Sequence, residues 1–187
     1  MVIFIHGYRT AGKGENVDML RQCFGDELVV PELQHKPVKD VACIGKMIDA
    51  ARAKNEKVLL IGCSLGGFYA KVLSSILNVP AILINPAYEP SKSLTSYGTF
   101  AKYDTGDLFD WHEQHTRELE TFELVESTYA PDKTKLYFFV ATDDELLDHS
   151  HLKNEFLNVK EFDNCGHRFF RFAEIIPDIK EIYEKID

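Results

Sequence analysis

Val58-Leu59-Leu60-Ile61-Gly62-Cys63-Ser64-Leu65-Gly66 is the stretch that decides how this chain is read. Its apolar run, Val58–Ile61, has the length and continuous hydrophobicity of a strand buried on both faces. From Leu65 to Leu77 the apolar residues recur at helical spacing. A serine placed where a strand turns into a helix must take up a strained backbone, and that projects its hydroxyl off the end of the sheet. The flanking glycines of the G-x-S-x-G pattern are needed because a Cβ at either would strike the neighbouring strand or helix. The Leu65 N–H then sits at a helix N-terminus, where negative charge is favoured. The turn thus predicts a nucleophile, Ser64, together with half of an oxyanion site.

Working outward, strand and helix patterns alternate along the whole sequence. Val2–Ile5 reads as a buried strand and is followed by the glycine-bearing loop Gly7–Gly14. A helix is expected over roughly Asn16–Phe24, a short strand over Glu27–Val30, and an amphipathic helix over Val38–Ala53. Ala81–Ile84 and Lys135–Ala141 read as further strands. A short helix around His151–Phe156, a last strand at Val159–Phe162 and a closing helix from about Phe172, interrupted by Pro177, complete the pattern. Residues 88–130 break the rhythm. They are rich in aromatic and charged side chains, and helical character is expected only from about Leu108 to Val125. Alternation of this kind implies parallel pairing with helices on both faces, a three-layer α/β/α sandwich of about six strands. In such sheets ligands meet the carboxyl ends of the strands, where Ser64 falls.

Composition narrows the partners. With 21 Lys and Arg against 30 Asp and Glu, the formal net charge is −9, and no basic stripe suggests a nucleic-acid partner. Four widely spaced cysteines, Cys23, Cys43, Cys63 and Cys165, form no C-x-x-C pair and read as reduced thiols of a cytoplasmic protein. The apolar start is too short for a signal peptide or a membrane span.

An activated serine needs a base, and the base needs an orienting acid. The strand ending at Ala141 runs into Thr142-Asp143-Asp144-Glu145, which puts carboxylates at its carboxyl end. After the last strand, Asp163-Asn164-Cys165-Gly166-His167 offers a histidine from a loop just before the final helix. The chain order is therefore serine, acid, histidine.

These blocks resemble the α/β-hydrolase superfamily, and more narrowly the small bacterial esterases of the YqiA/YcfP type. The resemblance rests on His6-Gly7, on Gly62-Cys63-Ser64-Leu65-Gly66-Gly67-Phe68-Tyr69-Ala70, on Asn85-Pro86-Ala87, on Asp144-Glu145-Leu146-Leu147-Asp148 and on Gly166-His167. It implies a compact α/β-hydrolase domain over residues 1–187, with 88–130 inserted as a lid or pocket, and a triad of Ser64, Asp144 and His167. Asp143 stands where relatives tend to have glycine, so either acid is a candidate partner for His167. The backbone N–H groups of Leu65 and Tyr8 are the expected oxyanion donors. The substrate expected is a short acyl ester or acyl thioester, cleaved through an acyl-enzyme without cofactor or metal.

Two alternatives are a non-catalytic binding protein on the same fold and a nucleotide binder using Gly7–Gly14. The latter nearly matches G-x-x-x-x-G-K-[ST], but Gly14 replaces the hydroxyl residue that would hold Mg²⁺. The histidines His112, His115, His149 and His151 lack the H-E-x-x-H spacing and read as ordinary surface residues. Glu118–Glu126 reads as a solvated helix face. Cys63 is expected to pack away from the site.

Overall fold

A computed structural model describes residues 1–186. Six strands form one parallel sheet in the order β2-β1-β3-β4-β7-β8: β1 Val2–Ile5, β2 Leu28–Val29, β3 Leu59–Cys63, β4 Ala81–Ile84, β7 Leu136–Ala141 and β8 Asn158–Phe162. The connecting helices are α1 Glu15–Phe24, α2 Pro37–Arg52, α3 Leu65–Leu77, α5 Glu113–Thr128 and α7 Phe172–Glu184, with single turns α4 Pro90–Ser93 and α6 Leu152–Glu155. Two further strands, β5 Gly98–Ala101 and β6 Leu108–Trp111, pair antiparallel as a separate hairpin.

The strand sequences are apolar throughout because both faces of the sheet are covered, and successive residues feed opposite layers. Ile3, Ile5, Leu60, Leu83, Phe138 and Val140 pack with α2, α3 and the Trp111–Leu119 region. Val2, Phe4, Leu59, Ile61, Ile82 and Ile84 pack with α1 and α7 on the other side. From β1 the chain crosses outward through α1 to the edge strand β2, then returns through α2 to β3. With every crossover right-handed, that reversal sets α1 and α2 on opposite faces. The loops after β1 and β3 therefore part at the carboxyl edge and leave a crevice there. Both the glycine loop and Ser64 open into it.

The fold differs from the sequence expectation between residues 108 and 128. Leu108–Trp111 is a strand rather than the start of a helix. Its residues alternate exposed and buried, and only Phe109 and Trp111 face inward. Trp111 is fully buried, and its indole Nε1–H donates to the Leu94 carbonyl at 3.2 Å. The helix begins at Glu113 because His112 caps it: the His112 N–H donates to His115 Nδ1 at 3.1 Å. His112 and His115 thus form a helix start, and His115 is buried, not solvated as expected. The acidic face that follows is likewise docked. Glu118 accepts from Val38 N, Glu123 from Ser91 N and Oγ, and Glu126 pairs with the buried Lys71 at 3.0 Å. Pro177 is accommodated inside α7. No helix among the described residues is long and apolar enough to cross a membrane.

Candidate active site

Ser64 follows β3 directly and has φ 52° and ψ −120°, outside the regions that L-residues favour. The turn is held from both sides: Ser64 N donates to the Ile84 carbonyl and Ala87 N to the Ser64 carbonyl, each at 3.0 Å. Its tightness depends on the glycines. A Cβ on Gly62 would lie 2.2 Å from the Gly66 carbonyl oxygen, and one on Gly66 would lie 2.0 Å from that of Ile5. A Cβ on Gly7 would sit 3.3 Å from Ser64 Cβ, so the loop after β1 passes in contact with the serine.

The structure brings Ser64, His167 and Asp144 together. The Ser64 hydroxyl lies 3.0 Å from His167 Nε2, and His167 Nδ1 lies 2.9 Å from Asp144 Oδ2 and 3.0 Å from Oδ1. With Nδ1–H donated to a carboxylate, Nε2 is left as an acceptor for the serine proton. The Asp144 side chain is 1 % exposed. Burial opposes its charge, but donors on His149, His167 and the Leu146 N–H outweigh burial and hold the carboxyl well below the usual range.

The adjacent carboxylates do different work. Asp143 accepts from Cys165 N at 2.9 Å and Gly166 N at 3.1 Å, and Glu145 accepts from His167 N at 2.9 Å. Both tie the histidine loop to the end of β7 without touching the imidazole ring. Asn85 fastens the same loop from β4. Its Nδ2 donates to the carbonyls of Gly166 and His167 at 3.0 Å each, and its Oδ1 accepts from Ala141 N at 2.7 Å. The sequence flagged Asn85 only through its Asn-Pro-Ala block and gave it no role. It also missed His149, whose Nε2 lies 3.0 Å from Asp144 Oδ2.

A cavity of about 540 Å³ opens beside Ser64 and His167, lined among others by Tyr8, Lys13, Val17, Tyr103, Leu146 and Phe169. Cys63 borders this cavity while its side chain packs against the α1 and α7 layer, as the expectation of a packing role has it. Desolvation pushes its thiol up to about 12, so it holds no thiolate at neutral pH. The hairpin covers the glycine loop. Tyr103 N donates to the Arg9 carbonyl at 2.7 Å, and the Arg9 guanidinium lies 4.3 Å from the Tyr103 ring centre. Asp104 accepts from Ala11 N at 2.8 and 2.9 Å and from Lys13 N at 3.1 Å. The loop N–H groups that would cradle a phosphate thus already hold a carboxylate.

Beneath that loop lie His6 and His35, edge to face with ring centres 6.0 Å apart, and neither Nε2 has a protein partner. Burial lowers His6 from 6.5 to about 4 and, with His6 and Lys102 nearby, lowers His35 to about 3. Burial raises Asp40 from 3.8 to about 6, against N–H donors from Gln34 and Lys36. The signs oppose each other. Below pH 6.5 the unfolded chain protonates both imidazoles while the folded one does not, so stability falls as pH falls. Below pH 6 the folded chain protonates Asp40 first and recovers part of that loss. With about 1.4 kcal/mol per proton per pH unit, the net loss between pH 7 and 5 is about 2–3 kcal/mol. Urea unfolding at several pH values will show this slope, and His35→Asn, which suits the φ of 57° there, will remove about 2 kcal/mol of it.

The chain belongs to the uncharacterised protein family UPF0227, whose model matches residues 1–184. A UPF0227 protein of Pectobacterium atrosepticum is 25% identical over 100 residues, covering 51% of this chain and 55% of that protein. The chain thus matches only about half the length of that curated relative. A UPF0227 protein of Pasteurella multocida is 21% identical over 192 residues, covering 99% of this chain and all of that one. Among solved structures, the monoacylglycerol lipase of Paleococcus ferrophilus superposes with a TM-score of 0.69 at 14% identity, covering 98% of this chain and 93% of its own. The fold is that of the α/β hydrolases.

Proposed function

We propose that this chain is a serine hydrolase that cleaves carboxylic esters or thioesters of short acyl groups. The observation that carries the reading is the unbroken line from the Ser64 hydroxyl through His167 to the buried Asp144 carboxylate. His167 Nε2 takes the Ser64 proton as Oγ attacks the acyl carbonyl carbon. Asp144 keeps the imidazole in the required tautomer and stabilises the imidazolium that forms. The N–H groups of Leu65 and Tyr8 receive the oxyanion, and one such donor is typically worth about 3 kcal/mol in the transition state. His167 returns the proton to the departing alcohol or thiol. Water, deprotonated by the same nitrogen, then releases the acid and restores Ser64.

The cavity of about 540 Å³ beside Ser64 has room for an acyl group, and a lipase among the structural neighbours is consistent with ester chemistry. The four unpaired cysteines fit a reducing, cytoplasmic setting. Asp104 filling the glycine loop speaks against the nucleotide reading.

A series of acyl esters and acyl-CoA thioesters of increasing chain length, assayed with wild type and Ser64→Ala, tests the proposal. The expected result is serine-dependent turnover that peaks at short chains and declines with longer ones. Equal rates for both proteins across the series would leave a non-catalytic binding protein instead.

A further inference from the structure

We infer that His149 is a positioning residue of this site, donating its Nε2–H to Asp144 so that the carboxylate is held in the orientation His167 needs. This rests on the hydrolase reading of Ser64, His167 and Asp144.

The donors around Asp144 are unevenly shared. Oδ1 accepts the backbone N–H groups of Leu146 at 2.9 Å and Leu147 at 3.0 Å, which fix it to the loop after β7, and lies 3.0 Å from His167 Nδ1. Oδ2 has no backbone donor among the described residues. It meets only the two imidazoles, His167 Nδ1 at 2.9 Å and His149 Nε2 at 3.0 Å. Without His149, Oδ2 would keep only its contact with the mobile His167 ring, and the carboxylate would turn about its Cβ–Cγ bond and shift its best acceptor lone pair off His167 Nδ1. His149 is the group that stops this rotation.

Its own setting is built for the task. The His149 side chain is 4 % exposed and that of Asp144 1 %, so little water competes for the contact. The His149 carbonyl accepts from Leu152 N at 3.1 Å, which ties the residue to the start of α6. Asp148, next to it, is occupied by Ser150 N at 2.9 Å and does not compete for the imidazole. His149 spends its donor on the anion that sets the tautomer of the proposed base.

Two variants and two readouts test the inference. His149→Phe keeps a ring of similar size without the donor, whereas His149→Gln can place an amide N–H near Nε2. The first readout is proton NMR of hydrogen-bonded imidazole N–H groups, which needs no catalysis. Wild type should show downfield ring protons from both His149 and His167. In His149→Phe the His167 proton should move upfield, because the carboxylate no longer holds its lone pair on Nδ1–H, and His149→Gln should bring it back. The second readout is the rate of fluorophosphonate labelling of Ser64. That rate should fall about tenfold in His149→Phe, the scale of one charge-assisted hydrogen bond, and recover to within about threefold in His149→Gln.

A His167 proton that stays in place in His149→Phe overturns the inference, as does labelling slowed equally by both variants. If His149→Phe does not fold, Asp144→Asn reads the contact from its other end. The His149 ring proton must then leave its downfield position, and a resonance that stays refutes the contact. Absence of labelling in wild type would sink the hydrolase reading, while the NMR shift would still report on the coupling between the two histidines.

Discussion

Ser64→Ala will eliminate covalent labelling by a fluorophosphonate, and Asp144→Asn will lower the labelling rate by about 10⁴ while Asp143→Asn lowers it by less than about tenfold. The contrast follows from geometry. Asp144 faces His167 Nδ1 from 2.9 Å with a side chain almost wholly buried, so an amide there would present N–H to the ring and force the wrong tautomer. The Nε2 atom would then carry a proton and could not accept one from Ser64. Asp143 lies one residue away but spends both oxygens on the N–H groups of Cys165 and Gly166. An amide at that position keeps one acceptor for the loop and leaves the imidazole alone. Thermal melts of both variants separate loss of chemistry from loss of fold. Reversal of the two rates would transfer the acid's role to Asp143, and an undiminished rate in both would remove the carboxylate from the mechanism.

The parts of this molecule that could be read in its sequence are those governed by short-range rules. The apolar runs at Val2–Ile5 and Ala81–Ile84 can only be doubly covered strands, and the glycines about Ser64 can only be a tight turn. The chain order of Ser64, Asp144 and His167 was legible because each lies at the end of a strand the pattern had already located. What escaped the sequence depends on contacts between distant segments. Leu108–Trp111 carries enough apolar residues to extend the helix that follows. It becomes a strand because Gly98–Ala101 pairs with it and because Trp111 is buried with its indole N–H on Leu94. Two adjacent aspartates are equivalent on paper, and only the fold of the loop turns one toward His167 and the other toward backbone. His149 looked like a stray surface histidine because nothing local shows that residue 144 would bury its carboxylate five positions earlier in the chain. The acids of Glu118–Glu126 read as solvated because Lys71 and Ser91, which receive two of them, belong to other elements.

One substitution, glycine to alanine, should act with opposite signs in two helices of this protein. Gly45 lies in the interior of α2, where a new Cβ would approach nothing closer than Leu73 Cδ2 at 4.0 Å. Alanine there restricts the unfolded chain and suits the helix, so Gly45→Ala is expected to add about 1 kcal/mol and raise the melting temperature by about 2–4 °C. Gly66 is also helical, the second residue of α3, and by propensity alone it should gain as much. Its missing Cβ, however, would stand 2.0 Å from the carbonyl oxygen of Ile5 and 2.6 Å from that of His6. These atoms belong to the backbone at the end of β1, the strand hydrogen-bonded beside β3, and cannot rotate aside as a side-chain tip would. Relief requires α3 to rise off the sheet, which would uncover Phe68 and Tyr69 and displace Ser64 from His167. Overpacking that soft groups absorb costs about 1–3 kcal/mol, and a clash against fixed backbone costs more, a large share of the roughly 5–15 kcal/mol that holds a typical domain. Gly66→Ala is therefore expected to be insoluble or to melt far below wild type, with no Ser64 labelling even where folded protein is recovered. Purifying both variants and comparing their melting curves is sufficient. A Gly66→Ala protein as stable as Gly45→Ala would mean that α3 does not press on β1 at the elbow, and the strained placement of Ser64 would lose its structural cause.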